Sequence, residues 1–188
     1  IKQYPDAFGA KQAALLATSI QQKNLNLNVE EVNLPNEPFL AQISYQNVHK
    51  AYLKVVRIAE KDRETFEYKN TKEKIEWLNQ QRAVRSWSQK LPEVGDYRMH
   101  SVEIKMDALP IGEYAVLIAD NDRFGVENGA VGHLTTTVSG IGYLYRMNEE
   151  GKAEFVVVDR KSGTPLEGIK AEFYSSEYNR RLRRSGEI

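Results

Sequence analysis

Three histidines are the side chains best suited to metal binding or acid–base work, and cysteine is absent. His49, His100 and His133 stand far apart in the chain. A zinc site draws three or four ligands, often with two of them one helical turn apart as in H-E-x-x-H. No such spacing occurs, so the three read as histidines of strand ends and loops. The lack of cysteine removes disulfides, thiolate ligands, thiol nucleophiles and a Cys–Gln thioester from this stretch.

Asp120-Asn121-Asp122 and Glu127-Asn128-Gly129 make an oxygen-rich loop, the kind of chemistry calcium selects. Asp120 and Asp122 fit the EF-hand pattern D-x-[DN]-x-[DN]-G, but Phe124 and Gly125 follow, so a solvated loop is expected. Ser139 lies in V-S-G-I-G, which lacks the first glycine of a G-x-S-x-G nucleophile elbow. Gly140 and Gly142 are followed by Tyr143 rather than by the rest of a phosphate-cradling G-x-G-x-x-G. Glycosidase carboxylates meet only in the fold. Glu103, Glu113, Asp120 and Asp122 are candidates in principle, with solvated charges the default. Arg180, Arg181, Arg183 and Arg184 suit phosphate or an acidic partner. Glu177 and Glu187 flank them, and an exposed edge hairpin is the simpler reading. Tyr45, Tyr52, Tyr114, Tyr143 and Tyr145 fall in strand-like runs, where a half-buried ring with its hydroxyl at the rim explains them. No catalytic, cofactor-binding or metal-binding residue is assigned, no cofactor is expected, and the chain reads as non-enzymatic.

These residues must be placed by ordinary globular elements. The 188 residues are 41% hydrophobic, and 26 basic residues balance 26 acidic ones. That argues against a generally basic nucleic-acid binder. No apolar run approaches the roughly 18 residues a membrane helix needs, so membrane insertion by this stretch is not expected. The chain opens at Ile1 without a signal-like region and stops at Ile188 without a closing strand, and reads as a piece of a longer protein.

Residues 10–22 are rich in Ala, Leu, Gln and Lys, with Ala13, Leu16, Ala17 and Ile20 on one face, which predicts a short helix. From Leu25 the period changes to two. Strands are expected over 25–32, 39–45, 50–58, 84–90, 100–106, 113–119 and 134–145, the last bent near Gly140 and Gly142. Residues 61–81 are polar. A helix is expected only over 71–80, where Ile75 and Leu78 share a face, with 61–70 a loop. Trp87 is the expected large core residue of its region. About seven short, turn-punctuated strands without strand–helix alternation predict an immunoglobulin-like antiparallel β-sandwich. The expected organisation is a helical lead-in over 1–23, a sandwich over 24–147, a linker starting at Met147, and a partial second sandwich over 148–188. Two or three strands cannot bury both faces of a sandwich, so that last piece is expected to lean on something else.

Two patterns resemble bacterial alpha-2-macroglobulins. Residues 25–58, LNLNVEEVNLPNEPFLAQISYQNVHKAYLKVVRI, contain a V-x-L-P-x-x-P turn, a Y-x-N-V link and an A-Y-L-K-V strand, similar to the opening of a macroglobulin domain. Residues 107–119, DALPIGEYAVLIA, look like its L-x-x-G-x-Y-x-V closing half. Residues 155–173, FVVVDRKSGTPLEGIKAEF, are similar to the opening of the next domain in tandem, a stretch shared with many sandwich modules. The nearest likeness is to the large macroglobulin-like proteins of Bacteroidetes-type bacteria, and the first domain looks like an MG2-type one. The resemblance implies an exported parent, periplasmic or lipid-anchored, that traps proteases: cleavage of a bait segment rearranges the array, and many members then capture the attacker through a thioester. This stretch would be scaffold, with neighbouring macroglobulin domains as partners and target proteases met through the whole protein. Two other readings stand beside it. One is an adhesin-like or carbohydrate-binding module, with its surface at loops 121–132 or 61–70. The other is an accessory domain of an exported hydrolase.

Overall fold

The computed structural model describes residues 7–125, 129–171, 176–179 and 184–187, with side chains through residue 171. The chain begins with helix α1 (Phe8–Gln21), then β1 (Asn24–Val29), β2 (Val32–Asn33), β3 (Phe39–Gln46) and β4 (Lys50–Ile58). Two helices follow, α2 (Glu60–Glu67) and α3 (Thr71–Gln80), and then β5 (Arg85–Lys90), β6 (His100–Met106), β7 (Gly112–Ala119) and β8 (Val131–Val138). The remaining strands are β9 (Ile141–Met147), β10 (Ala153–Asp159), β11 (Ser176–Asn179) and β12 (Arg184–Glu187). The chain divides into two compact units, Ile1–Gly140 and Ile141–Ile188.

The first unit is an immunoglobulin-like β-sandwich with short helices. One sheet has the order β1-β3-β6 and the other β2-β8-β7-β4-β5. All pairings are antiparallel except β2 with β8. Alternation explains the core. Leu27, Ile43, Tyr45, Ile104 and Met106 from one sheet meet Leu53, Val55, Val116, Ile118 and Val138 from the other. Trp87 is half-buried and packs against that core rather than forming its centre. Tyr114, at the start of β7, is fully buried and its hydroxyl donates to the Pro110 carbonyl at 2.9 Å. A tyrosine reaching back a few residues at a strand corner is a hallmark of immunoglobulin-type sandwiches. Here it gives L-P-I-G-E-Y a physical job: it ties the β6–β7 corner.

The five-stranded sheet is covered on its other face as well. Val56, Ile58, Ala115 and Leu117 pack beneath Phe66 of α2 and Ile75 and Leu78 of α3. This double burial is why β7 reads as a continuous apolar run. Helix α3 starts as expected, with a capping box: the Asn70 side chain accepts from the Glu73 N–H, and the Glu73 carboxylate accepts from the Asn70 N–H.

Four expectations need correction. Residues 60–67 are helix α2 rather than loop; Glu60 and Asp62 in its first turn favour the helix dipole, and a single apolar residue, Phe66, anchors it. The run 25–32 is two strands, because consecutive Glu30-Glu31 break the alternation and the chain crosses from one sheet to the other. The run 134–145 is likewise two strands, β8 ending at Val138 and β9 starting at Ile141, in different compact units. Residues 147–152 are no linker: β9 and β10 pair from Ile141↔Asp159 to Met147↔Ala153, and Asn148-Glu149-Glu150-Gly151 is the hairpin turn between them. Asn148 closes that turn by accepting, through Oδ1, from the N–H groups of Glu150 (3.1 Å) and Lys152 (2.8 Å).

In the second unit the D-R-K-S-G-T-P segment is a compact turn. The Asp159 carboxylate accepts from the Ser162 N–H and hydroxyl, both at 2.8 Å, and the Gly163 N–H donates to Asp159 O. Gly163 has φ +72°, which an L side chain adopts only with strain. The hydrogen bonds, led by the Ser162 N–H, hold the Asp159 carboxyl below the usual carboxylate range.

Candidate functional site

Asp120, in the loop expected to be solvated, is instead buried in an ion pair. Its side chain is 5% exposed and lies 2.8 Å from Lys23 Nζ, while Asn121 Nδ2 donates to its other oxygen at 3.0 Å. Burial works against the charge, but these hydrogen bonds and the Lys23 charge outweigh it and hold the pKa below the ordinary value. Gly129 sits against this group, with no room for a side chain between it and Asp120 and Asn121. Asn121 Oδ1 caps the turn by accepting from the Arg123 N–H at 3.1 Å. A cleft of about 590 Å³ opens beside the group, lined by Lys23, Ile75, Asn79, Asp120 and Phe124 among others. Asp120 therefore ties the segment after α1 to the end of β7. Val126, Glu127 and Asn128 lie outside the described residues.

Asp122 lines the same cleft as Asp120, but Glu103 and Glu113 are not brought to it. Glu103 is on β6 in the three-stranded sheet. Glu113 opens β7 and pairs with Arg63 at 3.1 Å, whereas Asp120 follows its end. Seven strand steps separate these two by about 20 Å or more. Glycosidase pairs stand about 5–9.5 Å apart. Ser139 lies between β8 and β9, and its N–H donates to Asn33 O at 3.0 Å. The side chains of the arginine cluster, Arg180 to Arg184, lie outside the described residues.

Two of the histidines come together at one turn. His100 Nε2 is 2.8 Å from Asp96 Oδ1, and its ring tilts against Tyr45 at 6.0 Å. His49 Nδ1 is 3.8 Å from Glu93 Oε1. Both line a hollow of about 40 Å³ at the 92–98 turn. The His100 hydrogen bond, then the Arg98 N–H, keep the exposed Asp96 carboxyl below its usual pKa. His133 is elsewhere, on β8 beneath the helices, edge-on to Phe66 at 6.4 Å. Among the described residues, no three His, Asp or Glu side chains are grouped so as to hold a metal ion.

Sequence reasoning missed Lys54. It is buried on β4 and donates to the Asn79 carbonyl in the last turn of α3 at 2.6 Å, where helix carbonyls lack partners and a cation is favoured. Burial lowers its pKa. The alternation K-A-Y-L-K-V placed it opposite the sandwich core, but only the covering helix buries it. The second unit has surfaces the sequence also hid. Tyr143 is 69% and Leu144 64% exposed, although the strand reads as apolar on both faces. Tyr143 and Tyr145 tilt against Phe155 at 6.3 and 5.1 Å, giving an exposed aromatic cluster. On α1, Leu15 and Leu16 are exposed and Ala10 alone is buried.

This topology has a counterpart among solved structures. A fragment of native alpha-2-macroglobulin from Escherichia coli, spanning domains MG0-NIE-MG1, superimposes with a TM-score of 0.52 over 77% of this chain and 48% of that one, at 14% identity. The fold is macroglobulin-like. The chain spans about half the length of that fragment. A weaker likeness, at a TM-score of 0.37 and 13% identity, covers 62% of this chain and 92% of a CARDB domain of a Pyrococcus furiosus protein. No protein-family model matches the sequence, and a search of curated proteins finds no relative. The macroglobulin-like sandwich of the first unit thus carries its charged and polar candidates as structural ties: Asp120 to Lys23, Glu113 to Arg63, His100 to Asp96. No helix is long and apolar enough to cross a membrane among the described residues.

Proposed function

We propose that the chain is a non-catalytic scaffold portion of a bacterial alpha-2-macroglobulin-like protease-trapping protein, working outside the cytoplasm in the periplasm or lipid-anchored at the envelope. The observation that carries this reading is the fold likeness to the E. coli alpha-2-macroglobulin fragment. The motif resemblance of residues 25–58 and 155–173 adds to it. In such a trap the chemistry belongs to the attacking protease, and scaffold domains act by packing on one another. The exposed aromatic and aliphatic side chains of β9 and α1 suit that role, because large apolar surfaces are what neighbouring domains cover.

The gene product that carries this chain tests the reading. After incubation with a broad-specificity endoprotease, the enzyme should lose activity on a large protein substrate yet keep it on a small chromogenic peptide. The 188-residue chain alone should change neither. Unaltered cleavage of the large substrate would sink the trap reading. Hydrolysis of any substrate by the chain itself would sink the non-catalytic part. The Tyr143–Tyr145–Phe155 cluster favours a second reading, a ligand-binding module, which specific retention on a glycan array would support.

A further inference from the structure

Helix α2 has eight residues, of which Phe66 alone is buried. A helix this short does not hold itself together in water. Its place on the sheet therefore depends on the Arg63–Glu113 pair and on what surrounds the Phe66 ring. Trp77 of α3 tilts against it with centroids 5.3 Å apart. Lys74 Nζ of α3 stands 5.2 Å from its centroid. His133, rising from β8, meets it edge-on at 6.4 Å and 87°. We propose that His133 is an acid-operated release for α2: protonating its imidazole places a second cation beside Lys74 at the Phe66 ring, and α2 lifts from the outer face of the five-stranded sheet.

The charges around the imidazole support a release rather than a new bond. The carboxylates of this corner are already engaged: Glu113 of β7 pairs with Arg63 at 3.1 Å, and Glu67 of α2 with the same Arg63 at 3.7 Å. From α3 the facing charge is Lys74, also positive. Across the β7–β8 ladder His133 faces Leu117, which is apolar. No carboxylate pairs with His133 among the described residues. A lone imidazolium is attracted to an aromatic face, but here Lys74 is already on that ring. Burial, and next the Lys74 charge, hold the His133 pKa below 6.5 in the closed form. The lifted form takes up its proton near the ordinary value of about 6.5. Closure is therefore fully favoured above about pH 6.5, weakens as pH falls through that window, and stops weakening once the closed form is itself protonated. Lifting α2 takes Phe66 out of the apolar cluster it shares with Ile58 and leaves that edge of the cluster open to water.

Hydrogen–deuterium exchange on the whole chain between pH 7.5 and 5.0, corrected for intrinsic rates, tests this. Protection of residues 60–67 should fall measurably toward pH 5 while β3 and β6 keep theirs. His133→Phe should keep α2 protected at pH 5. Because that variant can loosen α2 by itself, Lys74→Gln is the second arm. It leaves His133 in place, removes the neighbouring cation, and should lessen the acid loss without abolishing it, because the burial remains. The proposal is overturned if α2 stays protected in wild type at pH 5. It is equally overturned if His133→Phe or Lys74→Gln loses protection with the wild-type pH profile, or if β3 and β6 open together with α2.

Discussion

Asn33 shows how a single side chain can decide a crossing. It is 4% exposed, and its Nδ2 donates to Glu30 O at 3.0 Å and to Thr136 Oγ1 at 2.9 Å. The Thr136 hydroxyl in turn donates to Glu30 O at 2.9 Å. These bonds satisfy the backbone where the chain leaves one sheet for the other. Asn33→Ala deletes the donor and leaves buried acceptors short of a partner, at a cost of about 1–3 kcal/mol. Asn33→Asp should cost more, because a buried carboxylate faces the Glu30 carbonyl with nothing to donate. Urea denaturation of the two variants beside wild type checks both the size and the order. In the sequence, Asn33 is one letter inside the V-x-L-P-x-x-P pattern, and its role could not be read there. Its partner Thr136 is about a hundred residues away, and only folding brings the two together.

At the scale of elements, the helices over the five-stranded sheet are the informative part. Leu78 is fully buried on α3. Leu78→Ala should destabilise the first unit by about 2–5 kcal/mol, with the fluorescence of Trp77 reporting an earlier urea midpoint. Helix α3 was legible because Ile75 and Leu78 share a face. Helix α2 was not, because E-K-D-R-E-T-F-E has one apolar residue and therefore no period to detect. The strands of the sandwich were legible wherever one face is dry and the other wet. The break between β8 and β9 was hidden because V-S-G-I-G-Y continues the β-like composition across it. The β9–β10 hairpin turn was hidden because N-E-E-G is what either a turn or a linker would contain. Among the candidate site residues, the oxygen-rich loop was visible by composition. Its tie to Lys23 links positions 97 apart and was not.

The whole molecule joins a complete sandwich to a smaller unit whose strands leave large apolar side chains in water. Within the sandwich, β2 and β8 are the one parallel pairing, held by Thr137 N–H to Glu31 O at 2.8 Å and Ser139 N–H to Asn33 O at 3.0 Å. That detail has a mechanical meaning. If the first unit is pulled from Glu30 and from Gly140, tension enters β2 at its start and leaves β8 at its finish. Two parallel strands drawn from opposite ends slide lengthwise, so their hydrogen bonds bear the load together rather than opening one at a time. In a single-molecule pulling experiment the unit should yield at one high force peak. Thr137→Pro, which removes a donor aimed at β2, should lower that peak. Two residues of parallel backbone thus set how stiff this unit is along that line.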